Sequence, residues 1–194
     1  MQSFWQSFWH FCWRLESRAI YLVFLPAGLG LLFRAIEAAT VADRLLAIAL
    51  ILFCLELAHM AQVDLENAAI ATASSEEDSR LSRFYRVVVS TIVLETTGFY
   101  IALFSLQWGA VTIIASQIWF NLLAGVQIFP QAATKVVSFG IAERIAVLAA
   151  NAVGLGILSF WFVESAQVWL ASGVLTLIVL FLIVKYKQPA RGTD

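Results

Sequence analysis

Six apolar runs, at residues 19–33, 42–61, 87–106, 109–129, 145–163 and 168–184, take up most of this 194-residue chain. Runs of this kind approach the roughly 20 residues that a helix needs to cross a bilayer. The first is the shortest and least regular, since Pro26, Gly28 and Gly30 fall inside it. Charge then orients the runs. Of the 12 Lys and Arg residues, only Arg34 and Arg44 fall in connections assigned to the outer side. Arg14, Arg18, Arg80, Arg83, Arg86, Lys135, Arg144, Lys185, Lys187 and Arg191 all fall on the other side. Basic residues near spans are retained in the cytoplasm, so the pattern predicts both termini inside. With 61% hydrophobic and 13% charged residues, the chain has too little polar surface for a water-soluble fold. The expected class is all-α: a polytopic membrane helical bundle of six transmembrane helices.

Short connections arrange the spans. Gln107–Gly109 joins the third to the fourth, and Glu164–Gln167 joins the fifth to the sixth. Together with the 34–43 connection, these predict three antiparallel hairpins. Before the first span, Trp5, Trp9 and Trp13 recur every four residues with Phe4 and Phe8 beside them. That spacing puts the rings on one side of a helix, and Trp favours the headgroup level. Residues 1–14 are therefore expected to form an interfacial aromatic amphipathic helix rather than a secretory signal, which would need a basic start and a small-residue cleavage site. Residues 19–184 form a single transmembrane domain, and 185–194 a cytoplasmic tail.

The longest polar stretch, 62–86, is expected as a cytoplasmic linker. Ser74 and Glu77 have capping-box spacing ahead of the third helix. Arg80, Arg83 and Arg86 follow at three-residue intervals, where they would meet lipid headgroups or simply set topology. In the fifth span, Ala150 with Gly154 and Ala152 with Gly156 have the spacing of a close helix–helix contact. Glu143–Arg144 at its entrance reads as a solvated boundary pair. Cys12 and Cys54, without metal or CxxC spacing, read as unpaired apolar thiols.

Function must lie in the polar residues within the spans, because an ionisable group in hydrocarbon is costly unless paired, hydrated or neutralised. These are Glu56, His59, Glu95, Gln117, Asn121, Asn151 and Thr176. Counting the helical rise from each cytoplasmic end, Glu56, Glu95, Asn121, Asn151 and Thr176 come out roughly 10 to 15 Å deep. His59 lies one turn from Glu56. Three readings of this layer stand side by side. It can be structural, fixing helix register through interhelical hydrogen bonds. It can be a translocation or ion-coupling site, with carboxylates and carboxamides around a proton or hard cation. It can also ligate a metal centre or pigment, as in an accessory subunit of a larger membrane complex.

Catalysis is not expected. Two histidines, His10 and His59, are too few for a membrane di-iron oxygenase, and Glu56-x-x-His59 lacks the second such motif of a four-helix di-iron centre. The chain has no HExxH, no GxSxG elbow and no phosphate loop. Basic residues spread singly along the membrane boundaries, with a net charge of −1, give nucleic acid no binding surface.

The stretch through Gly98–Phe99–Tyr100, Trp108–Gly109–Ala110 and Ser116–Gln117–Ile118–Trp119–Phe120–Asn121–Leu122–Leu123–Ala124–Gly125 resembles an uncharacterised family of multi-pass membrane proteins in cyanobacteria. The resemblance implies a plasma or thylakoid membrane and association with photosynthetic or transport complexes. For an accessory subunit of that kind the cofactor would be chlorophyll or carotenoid. The functional expectation is a small transporter or ion-coupled membrane component, with Glu95 the titrating or cation-binding carboxylate.

Overall fold

A computed structural model of the protein describes residues 19–74, 78–129, 135–161, 163 and 166–187. The aromatic stretch 1–14, Glu76 and Glu77, and the tail from 188 lie outside the described residues. Among the described residues the fold is helical apart from one short β-hairpin, with six α-helices making up most of it. They are α1 (Ala19–Glu37), α2 (Val41–Ser74), α3 (Ser79–Phe104), α4 (Leu106–Leu123), α5 (Ile145–Ser159) and α6 (Gln167–Lys187). Among the described residues, four stretches are long and apolar enough to cross a membrane: α1, α3, residues Ala142–Ser159 and α6. In hydrocarbon no water pairs with the backbone, and helices satisfy those groups internally.

Helix α2 is the centre of the bundle and packs against α1, α3 and α6. Its buried residues, among them Leu46, Ala47, Leu50, Leu57, Ala58 and Ala61, cover more than one side. Alanine is what allows this: a small side chain lets neighbouring backbones approach from several directions. Helix α1 instead buries a single stripe, Ile20, Phe24, Ala27, Leu31 and Ala35, at helical spacing. Its Phe24 meets Phe99 of α3 edge to face at 5.8 Å. Leu22, Phe33 and Ile36 face outward from it. Despite Pro26, α1 is continuous from Ala19 to Glu37.

Several boundaries differ from the sequence expectation. The 62–86 linker is mostly helix: α2 runs 34 residues to Ser74 and α3 begins at Ser79. At about 1.5 Å per residue, α2 is near 50 Å long, more than the roughly 30 Å of a bilayer's hydrocarbon core. The cap of α3 is Asp78, whose carboxylate accepts from Arg80 N at 2.9 Å, rather than Ser74, which ends α2. Helices α3 and α4 are joined by Ser105 alone, in extended backbone, so Gln107–Gly109 belongs to α4. The close approach lies there too. A Cβ on Gly109 would stand 2.4 to 2.6 Å from Ala102 atoms, and one on Gly98 would stand 2.7 Å from Ile113 Cγ1. Of the two small-residue pairs in α5, a Cβ on Gly154 would stand 3.1 Å from Ile114 Cδ1, whereas one on Gly156 would meet nothing within 4 Å.

The fourth apolar run is not one helix to 129. It stops at Leu123, and Gly125, at φ 65°, turns the chain into an antiparallel hairpin of β1 (Val126–Phe129) and β2 (Lys135–Ser138). Val126 pairs with Ser138 and Ile128 with Val136. Val126 and Ile128 are buried while Gln127 is exposed, a period-two pattern that suits a strand with one buried face. Left-handed backbone is where glycine escapes a Cβ clash, which is why the helix ends there.

Gly109→Ala is expected to cost about 1–3 kcal/mol, since α3 and α4 must separate to admit the methyl. Gly156→Ala is expected to be neutral or slightly stabilising. Thermal unfolding of the two variants in detergent, against the parent, checks both.

Candidate functional site

The polar groups of the spans separate into two clusters on different sides of α2. On the side facing α6, Glu56 is 5% exposed. Lys185 Nζ donates to its Oε1, and the Tyr186 hydroxyl donates to its Oε2 at 2.9 Å. Both carboxylate oxygens are thus satisfied by the last turn of α6. An ammonium and a hydroxyl together offset much of the cost of burying the charge, whereas either acid or base alone would be left uncompensated.

On the other side, α2, α3 and α4 enclose a cavity of about 20 Å³ lined by Leu57, Ala61, Asp64, Thr91, Glu95 and Gln117 among others. This is room for about one water. Glu95 is 3% exposed, and its Oε1 accepts from Gln117 Nε2. Its other oxygen takes no hydrogen bond among the described residues. Thr91 gives its hydroxyl proton to Val87 O at 2.8 Å, which leaves its oxygen as an acceptor. Glu95 is therefore held by a neutral amide, in contrast to the ion-paired Glu56.

Asp64 also lines this cavity, one turn beyond the apolar part of α2, and makes no hydrogen bond among the described residues. Burial pushes its carboxyl up to about 6, against the opposing pull of Lys185 and then Arg144. At the start of α3, Asp78 is part-exposed, and the hydrogen bonds from Arg80 hold its carboxyl below the ordinary range.

The other candidates are placed as follows. Asn121 donates to Gln117 O of its own helix at 2.7 Å. Asn151 Nδ2 is buried with no partner among the described residues. His59 and Thr176 are exposed, so His59 points away from Glu56 and from the cavity. Arg83 and Arg86 are exposed, and Arg80 pairs with Asp78 at 2.7 Å. Cys54 is free and buried, with its thiol 3.8 Å from Phe24 O. Among the described residues no three His, Cys, Asp or Glu side chains gather in a group that could hold a metal ion.

Arg144 corrects the reading of a solvated pair: it is 5% exposed. It donates to Phe120 O at 3.3 Å and Val126 O at 3.2 Å, with its guanidinium over the rings of Phe120 and Phe139. It thereby ties the end of α4 to the first strand and places a cation at a helix C-terminus, where the dipole favours one.

Sequence reasoning missed Asp64, Lys185, Tyr186 and Arg144 as site residues. For Asp64 a signal existed: Leu57, Ala61 and Asp64 continue one stripe at helical spacing, so an acid lies on the buried face. For Lys185 and Tyr186 none did, because their partner is more than a hundred residues away. No family model, curated protein or solved structure matches the chain.

Lys185→Met is expected to destabilise by about 1–3 kcal/mol, by stranding the buried Glu56 charge beside a partly exposed position. Adding Glu56→Gln should recover most of that loss, and Tyr186→Phe alone should cost about 1 kcal/mol. A double-mutant cycle by thermal unfolding in detergent measures all three.

Because the folded-state pKa of Asp64 lies above its ordinary value of 3.8, its ionised form costs stability. That cost is absent below the ordinary value and complete once the pH has passed about 6. Asp64→Asn should accordingly raise the melting temperature at about pH 8 and lose that advantage near about pH 4.

Proposed function

We propose that the protein is an integral membrane protein whose six helices all cross the bilayer, with both termini on the inner side. We propose further that it works as a small ion- or proton-coupled membrane component built on Glu95. Helix alternation supports the topology: it leaves Arg34 and Arg44 at one end of the bundle and Arg80, Arg83, Arg86, Arg144, Lys185 and Lys187 at the other. Arg80 Nη1 lies 3.4 Å from Ser138 Oγ, which supports the start of α3 and the α4–α5 connection sharing one side.

The observation that carries the functional reading is Glu95 itself. A carboxylate 3% exposed among apolar helices, lining a cavity and matched only by an amide, is an expensive arrangement for structure alone. A purely structural acid would be paired as Glu56 is. A hydrogen-bonded but unneutralised acid is suited to binding and releasing a positive charge. The cavity that Glu95 lines is also lined by the part-exposed Asp64, which supports an approach to Glu95 from that acid. This favours a coupled carrier or channel component over an accessory subunit with a sealed polar layer. In this reading Gln117 orients Glu95, and Glu56 with Lys185 and Tyr186 holds α6 against α2 as structural support.

The test is flux. Purified protein in liposomes should dissipate or be driven by an imposed cation or pH gradient, and Glu95→Gln should reduce the rate roughly tenfold or more while leaving folding intact. Equal rates in the parent, Glu95→Gln and protein-free liposomes would sink the reading.

A further inference from the structure

The cavity between α2, α3 and α4 is lined by two acids, Asp64 and Glu95. Asp64 is part-exposed and without a hydrogen bond among the described residues. Glu95 is buried, with Oε1 taken by Gln117 Nε2 and the other oxygen free of hydrogen bonds among the described residues. Thr91 lines the same cavity from α3, one turn from Glu95, and its hydroxyl hydrogen is committed to Val87 O. Its oxygen can therefore only accept from whatever enters the cavity.

These dimensions discriminate between cargoes. A hard cation takes about six or more oxygens in a shell around it. Here two acids line the cavity, and no group of three acidic, histidine or cysteine side chains gathers among the described residues. The volume, about 20 Å³, suits one water, for which the lining Thr91, Glu95 and Asp64 offer polar partners. One water between two carboxyl groups is a proton path.

We infer that the ion this site takes is a proton, which enters at Asp64 and reaches Glu95 through a single water. The inference rests on the reading of Glu95 as the working acid. In the step, the Asp64 carboxyl gives its proton to the water oxygen, and the water gives one of its own protons to the Glu95 carboxylate. One O–H bond breaks and one forms at each transfer, the water is regenerated, and a negative charge moves from Glu95 to Asp64. The surroundings favour that direction. Lys185 on α6 and Arg144 ahead of α5 both act on Asp64 as attractive charges, whereas Glu95 is held by the neutral Gln117 amide. Of the remaining acids nearby, Glu56 is matched by Lys185, and the charges of Asp64 and Glu95 act on each other, which opposes both being ionised together.

The test is infrared difference spectroscopy of the full-length protein in lipid nanodiscs, reading the carbonyl stretch of protonated carboxyl groups during hydrogen–deuterium exchange. Glu95→Gln identifies the Glu95 band by removing it. Asp64→Asn is expected to keep that band but slow its exchange by roughly tenfold or more, and Asp64→Glu to restore the parent rate. Excess Na⁺ or K⁺ at fixed pH should leave the band unchanged. Exchange at the parent rate in Asp64→Asn overturns the inference, as does loss of the band on adding either cation. Absence of any Glu95-dependent band across the carboxylate titration range overturns it as well. The two readings fail separately: Asp64-dependent exchange without flux in liposomes keeps the proton path and removes the transport role. Flux driven by a metal cation, with exchange indifferent to Asp64, does the reverse.

Discussion

Because α2 packs against α1, α3 and α6 at once, any acid it carries on a buried side must be answered by a group from another helix. It carries two, Glu56 and Asp64. The answers come from different neighbours, Lys185 and Tyr186 of α6 for Glu56 and the cavity shared with α3 and α4 for Asp64. Low dielectric raises the stakes of each match, since a charge far from water interacts strongly with whatever is near it and is expensive when nothing is. The helices are thus held in register by apolar packing, and the polar groups select which faces meet.

The two buried glutamates show how the same side chain takes opposite roles. Glu56 has an ammonium and a phenol on its two oxygens, a closed arrangement with no capacity left. Glu95 has one amide and a small cavity. Closure suits a strut, and spare capacity suits a site. The contrast lies in the partners and not in depth, because both residues are almost fully buried.

The β-hairpin after α4 depends on a second polar device. A lone two-stranded hairpin is marginal in water, and here its first strand is fixed through Arg144, which holds the carbonyls of Phe120 and Val126 and stacks on two phenylalanines. Arg144 also contributes to the positive field that Asp64 feels. The connection between α4 and α5 in this way bears on an acid that lines the cavity.

The helices were legible in the amino-acid order because long apolar runs leave a chain few alternatives, and the buried acids were legible because charge is rare in such runs. The hairpin was the exception. Val126-Gln127-Ile128-Phe129 extends an apolar run smoothly, and only the left-handed Gly125 and the period-two burial separate it from a helix. The 62–86 stretch misled in the other direction, since polar residues that continue a helix past its apolar part look like a loop. Glu56, Glu95, Asn121, Asn151 and Thr176 share a depth by counting, but depth is one coordinate of three. Rotation about each helix axis turns Thr176 outward, as it does His59 beside Glu56, and sends Asn121 back to its own backbone. By itself the sequence determined that the chain is helical and apolar and where its acids fall along each helix. Only the tertiary structure decided that Gln117 meets Glu95 and Lys185 meets Glu56, because such pairings depend on how helices far apart in sequence are rotated against one another.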